Sequence, residues 1–317
     1  MTQSRRLITR TLLSITSLIG GAAFIKHYKK GSMHRQIPEF FQHPAPYIFS
    51  HRGGMAERPE STILAFDHSV EMNLTGFETD IRITKDEKVI VFHDADVNRT
   101  TNGSGYVRDH TLDELKSLDA GYRFKDMNGK KPYQNHPDAK IMTMDELLSR
   151  YPDQLVNIDI KDQPQSYEGQ IAAQRLYETI KRNHAEKRVL VTSFYKVQIE
   201  RFYAISRGEI ALGASQAEVT DAILKLYLGL HTWYRGHAQT FQMPTYFHRI
   251  PLVQPKLINW LNQSHIIPGY YGVNSVDAMH DLVEQGVHTT VTDRPTIGRQ
   301  FLTAYRSNIQ NSSHTSS

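Results

Sequence analysis

The sequence contains no cysteine in its 317 residues. That removes disulfides, thiolate nucleophiles and zinc-thiolate centres, leaving carboxylates, histidines and water as the chemical inventory. A long cationic stripe is missing too. The formal charge is +4 and the basic residues are scattered except near the start, so no nucleic acid is expected as a partner. No glycine-rich dinucleotide turn follows the first apolar run, which counts against a doubly wound nucleotide-binding sheet. With 39% hydrophobic residues, the chain is nonetheless long enough to bury one large core.

No charge interrupts residues 11–25, but that stretch falls short of the ~20 residues a spanning helix usually needs. Arg5, Arg6 and Arg10 precede it, and Lys26, Lys29 and Lys30 close it. Such flanks snorkel and lengthen its reach. Gly21-Ala22-Ala23 offers small residues for cleavage, while the basic cluster just beyond suits an uncleaved segment. Residues 1–30 therefore read as an N-terminal hydrophobic helix, an anchor or an uncleaved signal, and the protein as membrane-anchored through it. Positive charge on both sides leaves the orientation open.

Residues 31–46 are polar and end in His43-Pro44-Ala45-Pro46, which predicts an extended linker. At the other end residues 307–317 are mostly serine, asparagine and glutamine, which predicts a disordered tail. Between them, residues 47–306 should form the folded domain. Eight short apolar runs occur there, near residues 47–49, 77–83, 155–160, 189–192, 210–213, 240–242, 266–273 and 289–292. Helix-forming stretches separate most of them, which argues for parallel strands with crossover helices and an eight-stranded α/β barrel. One extra run, residues 89–92, follows the second strand after only five residues. That is too short for a crossover, so the two must form an antiparallel hairpin. A turn centred on Asp86-Glu87 would pair Thr84 with Val89 and place Asp80 opposite His93, at the barrel mouth where such enzymes carry their sites.

Glu78 and Asp80 lie two apart in a strand and so share one face. Crowded carboxylates call for a cation, either a hard divalent ion such as Mg²⁺ or Ca²⁺ or, more simply, Arg82 or Lys85. A third acid, Asp159, sits in an otherwise apolar strand, where an uncompensated charge costs several kcal/mol. Lys161, two residues on, either pairs with Asp159 structurally or reaches a phosphate while Asp159 completes a metal shell. His51 and Arg52 follow the first strand, and Gly53-Gly54 lets backbone approach a ligand. Histidine moves protons near neutral pH and arginine grips phosphate with two parallel hydrogen bonds. Together these are the elements of phosphodiester cleavage.

Taken in order, these segments resemble the glycerophosphodiester phosphodiesterase family. Ser50-His51-Arg52-Gly53-Gly54, Pro59-Glu60-Ser61-Thr62, Phe77-Glu78-Thr79-Asp80, Val91-Phe92-His93-Asp94 and Arg99-Thr100-Thr101-Asn102-Gly103 are similar to its motifs. So are Asn157-Ile158-Asp159-Ile160-Lys161 and Thr292-Asp293-Arg294-Pro295. The resemblance implies a (β/α)8 TIM barrel with a small hairpin-containing insertion after strand 2. It implies His51 and His93 as the acid-base pair, and Glu78, Asp80 and Asp159 as holders of a divalent metal, Mg²⁺ or Ca²⁺, with Glu60 near it. Arg52 and Lys161 would bind the substrate phosphate. Departures are Ser61 for asparagine, Asp159 one methylene short of the usual glutamate, and His288 where an aspartate usually precedes the last Thr-Asp.

The implied reaction is metal-dependent hydrolysis of a small-molecule glycerophosphodiester to glycerol 3-phosphate and an alcohol. Residues 222–234, rich in leucine and aromatics, are similar to the family's membrane-attached branch, whose members act as lysophospholipase D on lysophospholipids. That stretch is either an interfacial surface or an ordinary barrel helix. A non-catalytic lipid-binding scaffold is the remaining alternative, opposed by the presence of both histidines and all three acids.

Overall fold

The computed structural model describes residues 37–314, with side chains described through residue 308. Eight strands form the barrel: β1 (Tyr47–His51), β2 (Gly76–Ile83), β4 (Leu155–Ile160), β5 (Val189–Thr192), β6 (Ala211–Leu212), β7 (Thr240–Pro244), β10 (Ile267–Tyr271) and β11 (Thr289–Thr292). Their neighbours run β6-β5-β4-β2-β1-β11-β10-β7, all parallel. A bridge from Gly213 to Thr240 joins the two edges and brings the sheet round on itself. The expected strands therefore appear where the apolar runs lie. Helices α1 (Ile63–Glu71), α4 (Tyr167–Arg182), α5 (Lys196–Ser206), α6 (Gln216–Tyr227), α7 (Pro255–Gln263), α8 (Val276–Glu284) and α9 (Pro295–His314) follow successive strands. After β2 come the third strand β3 (Val89–Val91) and helices α2 (Leu112–Ser117) and α3 (Met144–Arg150).

The period-2 alternation of each strand sorts its side chains into two shells. Phe77, Ile81, Val156, Ile158 and Ile160 face outward into one large cluster with α3, α4 and α5. Tyr47, Phe49, Leu155, Leu190 and Val291 face inward and fill the lower barrel. Higher in the same inward rows the residue type changes. His51 pairs with Glu78, Glu78 with Asn157, and Asp80 with Asp159. The rows that are apolar at the N-terminal ends of the strands thus become charged at the C-terminal ends.

Three expectations are corrected. The hairpin register is shifted by one: Ile81 pairs with Val91 and Ile83 with Val89, and Phe92 N–H donates to the Asp80 carbonyl at 3.0 Å. Phe92, not His93, stands opposite Asp80. The reason is a three-residue loop closed by Thr84 N–H to the Lys88 carbonyl (3.0 Å), with Glu87 at φ +59°; a left-handed residue completes a turn one residue longer than the expected tight one. Second, the linker ends earlier than expected. A short 3-10 turn, Glu39–Phe41, buries Phe40 and Phe41 against Tyr47 at the barrel floor, because two adjacent aromatics offer more burial than extended solvation returns. Third, α9 runs on to His314, through most of the expected tail, as the continuation of a helix whose Phe301, Leu302 and Tyr305 pack against the barrel. The expected hydrophobic helix at residues 1–30 lies outside the described residues. Among those described, no helix is long and apolar enough to cross a membrane.

Candidate active site

The strand ends gather the predicted site residues at one mouth. His51 closes β1, and its ring Nδ1–H donates to Asp293 Oδ1 at 2.6 Å. Asp293 follows β11, the neighbour of β1. Asn274 holds this carboxylate in turn, its side-chain NH₂ donating to Oδ2 at 2.7 Å and its carbonyl accepting from Asp293 N–H at 2.8 Å. With Nδ1 so engaged, His51 Nε2 faces Glu78 Oε2 at 3.7 Å. Burial works against the imidazolium, but Glu78 and the bond to Asp293 outweigh it and raise the His51 pKa.

His93, beyond β3, repeats the device locally: its Nδ1–H donates to Asp94 Oδ1 at 2.6 Å. Arg99 anchors that carboxylate from behind, Nε to Asp94 Oδ2 at 2.6 Å. Here burial prevails over the nearby Asp80, and the His93 pKa is lowered. Arg82 fixes the same segment by donating Nε–H to the His93 carbonyl at 3.0 Å, and its guanidinium pairs with Asp162. The simple expectation that Arg82 or Lys85 neutralises Glu78 and Asp80 is therefore not what the fold builds.

Asp80, almost wholly buried, lies instead between two other cations. Arg52 Nε is 3.2 Å from Oδ2 and Lys161 Nζ is 3.0 Å from Oδ1. Lys161 also reaches Asp159 Oδ2 at 2.6 Å, which is the structural pairing expected as one of its two readings. Burial favours the neutral acid, yet Lys161 and Arg52 hold Asp80 below the ordinary carboxylate range. Glu78 lacks such a close partner. Burial, with Asp80 beside it, pushes Glu78 up to about 7. Asp159 is raised by burial as well, against the pull of Lys161.

Backbone shape puts Arg52 in place. It takes φ +52° and is followed by Gly53 at +81° and Gly54 at +108°, a run that only glycine sustains cheaply. A Cβ on Gly54 would stand 2.3 Å from Pro295 Cγ, so the turn is pressed against the chain just after Asp293. Arg52 Nη1 donates to Glu60 Oε1 at 2.9 Å, and Arg99 holds both oxygens of Glu60 at 2.7 and 2.8 Å. Glu60 thus has two guanidinium partners.

Glu78 Oε2 and Asp159 Oδ1 are buried without a hydrogen-bond donor, whereas both oxygens of Asp80 meet a cation. Such orphaned carboxylate oxygens suit a hard cation, for each would otherwise bear its desolvation cost alone. Still, among the described residues no three His, Asp or Glu side chains converge as a preformed metal shell. A cavity of about 280 Å³ adjoins Lys161, lined also by Arg82, Tyr106, Arg108 and Tyr195.

Sequence reasoning gave no role to Asp293, Asp94, Arg99 or Asn274. Asp94 was legible as the neighbour of His93, and Asp293 as a polar residue immediately after a barrel strand, the position from which such sites are built.

The glycerophosphoryl diester phosphodiesterase family model matches residues 51–297, from the first catalytic candidate to the start of the last helix. The chain belongs to this family. It is 31% identical over 254 residues to a glycerophosphodiester phosphodiesterase of Caldanaerobacter subterraneus, covering 78% of this chain and 94% of that protein. It is 26% identical over 264 residues to a Bacillus subtilis protein of the same name, covering 81% and 86%. Among solved structures, the glycerophosphoryl diester phosphodiesterase domain of a Mycobacterium tuberculosis protein superposes with TM-score 0.71 at 18% identity, covering 81% of this chain and 99% of that domain. An Oleispira antarctica phosphodiesterase in complex with its product sn-glycerol 3-phosphate superposes with TM-score 0.65 at 22% identity, covering 83% and 97%. These two likenesses establish the shared barrel.

Proposed function

We propose that this member of the family hydrolyses glycerophosphodiesters to glycerol 3-phosphate and an alcohol at the mouth lined by His51, Glu78, Asp80, His93, Asp159 and Lys161. The observation that carries the reading is the pair of imidazoles, each oriented through Nδ1 by its own carboxylate at 2.6 Å. A histidine held this way presents Nε2 to a reacting group and keeps one tautomer. One ring takes the proton from the attacking hydroxyl, either the neighbouring glycerol hydroxyl or water. The other returns a proton to the leaving alkoxide as its phosphorus–oxygen bond breaks. If the glycerol hydroxyl attacks first, water opens the resulting cyclic diester.

Arg52 and Lys161 face the phosphoryl oxygens in this account, where a guanidinium fork and an ammonium neutralise developing charge. Glu78, Asp80 and Asp159 are the residues that would hold a divalent cation, Mg²⁺ or Ca²⁺, with Glu78 Oε2 and Asp159 Oδ1 the buried oxygens that lack donors. Bound there, the ion supplies Lewis-acid polarisation of the phosphoryl group. Glu60, with both oxygens given to arginines, serves to aim Arg52.

The test is product identification with the full chain, offered glycerophosphocholine or a lysophospholipid with Mg²⁺, Ca²⁺ or chelator. Glycerol 3-phosphate from glycerophosphocholine, lost with chelator, supports the reading. Lysophosphatidic acid as the sole product would replace it with lysophospholipase D.

A further inference from the structure

We propose that the protein docks on an anionic lipid surface through the face made by the end of α6 and the hairpin β8 (Tyr246–Phe247) and β9 (Ile250–Pro251). This goes beyond the reaction, because it concerns where the mouth is held while the reaction runs.

Charge is the first observation. Residues 222–276 hold Lys225, Arg235, Arg249 and Lys256 and not one aspartate or glutamate, in a chain with 33 acidic residues. At that average the segment would carry several. Exposure is the second. Helix α6 buries Ala222 and Leu226 against the barrel, but leaves Tyr227, Leu228 and, just beyond, Trp233 exposed, with Leu228 at 63%. In the hairpin Tyr246, Phe247 and Ile250 are exposed as well, Ile250 at 63%. One side of this helix therefore packs as an ordinary barrel helix, and the other leaves apolar side chains exposed. Clustered apolar groups left in water mark an interaction surface more often than chance.

Position joins the two. Lys256 Nζ lies 4.8 Å over the Tyr227 ring, so the end of α6 meets the start of α7, immediately after the hairpin. The hairpin itself leaves from Pro244, which pairs with Tyr271. Tyr271 is the last residue of β10, at the C-terminal end of the barrel where the site residues gather, which puts the hairpin at the rim of the catalytic mouth. Lys225 is paired with Asp221 at the edge of the segment, which leaves Arg249 and Lys256 beside the exposed aromatic and aliphatic residues, a combination that matches the chemistry of an anionic headgroup layer above acyl chains. A protein partner of ordinary mixed charge offers no reason for the missing acids.

Both tryptophans of the chain, Trp233 and Trp260, lie within this segment, and Trp233 is exposed while Trp260 is buried. Indole quenching therefore reads this face even if residues 1–30 also meet the bilayer. The full chain would be mixed with vesicles of equal parts phosphatidylglycerol and phosphatidylcholine, or phosphatidylcholine alone, with brominated acyl chains. Emission should be quenched by the anionic vesicles and not by the neutral ones, and Trp233→Phe should remove the effect. Arg249→Glu with Lys256→Glu should raise the lipid concentration for half-quenching roughly tenfold or more, and Phe247→Ser with Ile250→Ser should abolish quenching. Turnover of soluble glycerophosphocholine should stay unchanged in these variants, so a failed docking idea and a failed catalytic assignment give different results. No quenching by anionic vesicles, or equal quenching by neutral ones, would overturn the proposal.

Discussion

His51 and Asp293 stand 242 residues apart in sequence and 2.6 Å apart in space, Nδ1 to Oδ1. Adjacency of β1 and β11 makes the meeting possible, and Asn274 keeps the carboxylate turned toward the ring. Asp293 is a positioning residue for the His51 imidazole. Asp293→Asn should leave the fold and KM nearly intact and lower kcat by about a hundredfold or more, by freeing the ring to take the wrong tautomer. Parallel decreases in thermal midpoint and activity would assign Asp293 a merely structural role.

Arg52 is shared between Glu60 and Asp80. Arg52→Lys keeps one charge but loses the fork that reaches both carboxylates and, in this account, the phosphate. KM for glycerophosphocholine should rise about tenfold, with a smaller change in kcat. Equal kinetics for the two proteins would remove Arg52 from the phosphate site.

The glycine turn offers a stability comparison. Gly54→Ala adds a methyl against Pro295 in a left-handed backbone and should cost about 2 to 4 kcal/mol, read as a lower urea midpoint. Gly129→Ala has the same backbone sign at φ +74° with nothing within 4 Å. Its cost should stay near 1 kcal/mol, the strain alone. Reversal of that order would mean the turn relaxes freely.

His288 sits under the barrel, its ring 4.3 Å from that of Tyr47 and 5.7 Å from that of Phe41. Burial lowers its pKa from 6.5 to about 4. A folded-state value below the unfolded one means the unfolded chain binds the extra proton. This group's contribution is therefore intact above pH 6.5 and lost as pH falls toward 4, by about 2 kcal/mol at pH 5. Urea titrations at pH 7 and pH 5 should show a smaller gap for His288→Gln than for the parent. An unchanged gap would place the acid sensitivity elsewhere.

Much of this was readable beforehand, and the failures have physical causes. Barrel strands announce themselves because both faces are buried, so Val156, Ile158 and Ile160 read as an unbroken apolar run interrupted only where chemistry requires. Glu78, Asp80 and Asp159 stood out for the same reason. The hairpin slipped by one residue because nothing in Asp86-Glu87 signals that Glu87 adopts a left-handed conformation. Phe40 and Phe41 were hidden by the prolines around them, although packing against Tyr47 fixes them, and the end of α9 was hidden by its polar composition. Carboxylates such as Asp293 acquire meaning only when a distant strand brings their partner.

The central claim is that His51 and the Glu78 carboxylate act at one phosphodiester centre. Its most direct test is the rate of glycerol 3-phosphate release from glycerophosphocholine by the parent, His51→Ala and Glu78→Ala, each shown to be folded by its thermal midpoint. The account predicts that either substitution lowers kcat by about a thousandfold or more. Turnover at the parental rate in both folded variants would contradict it.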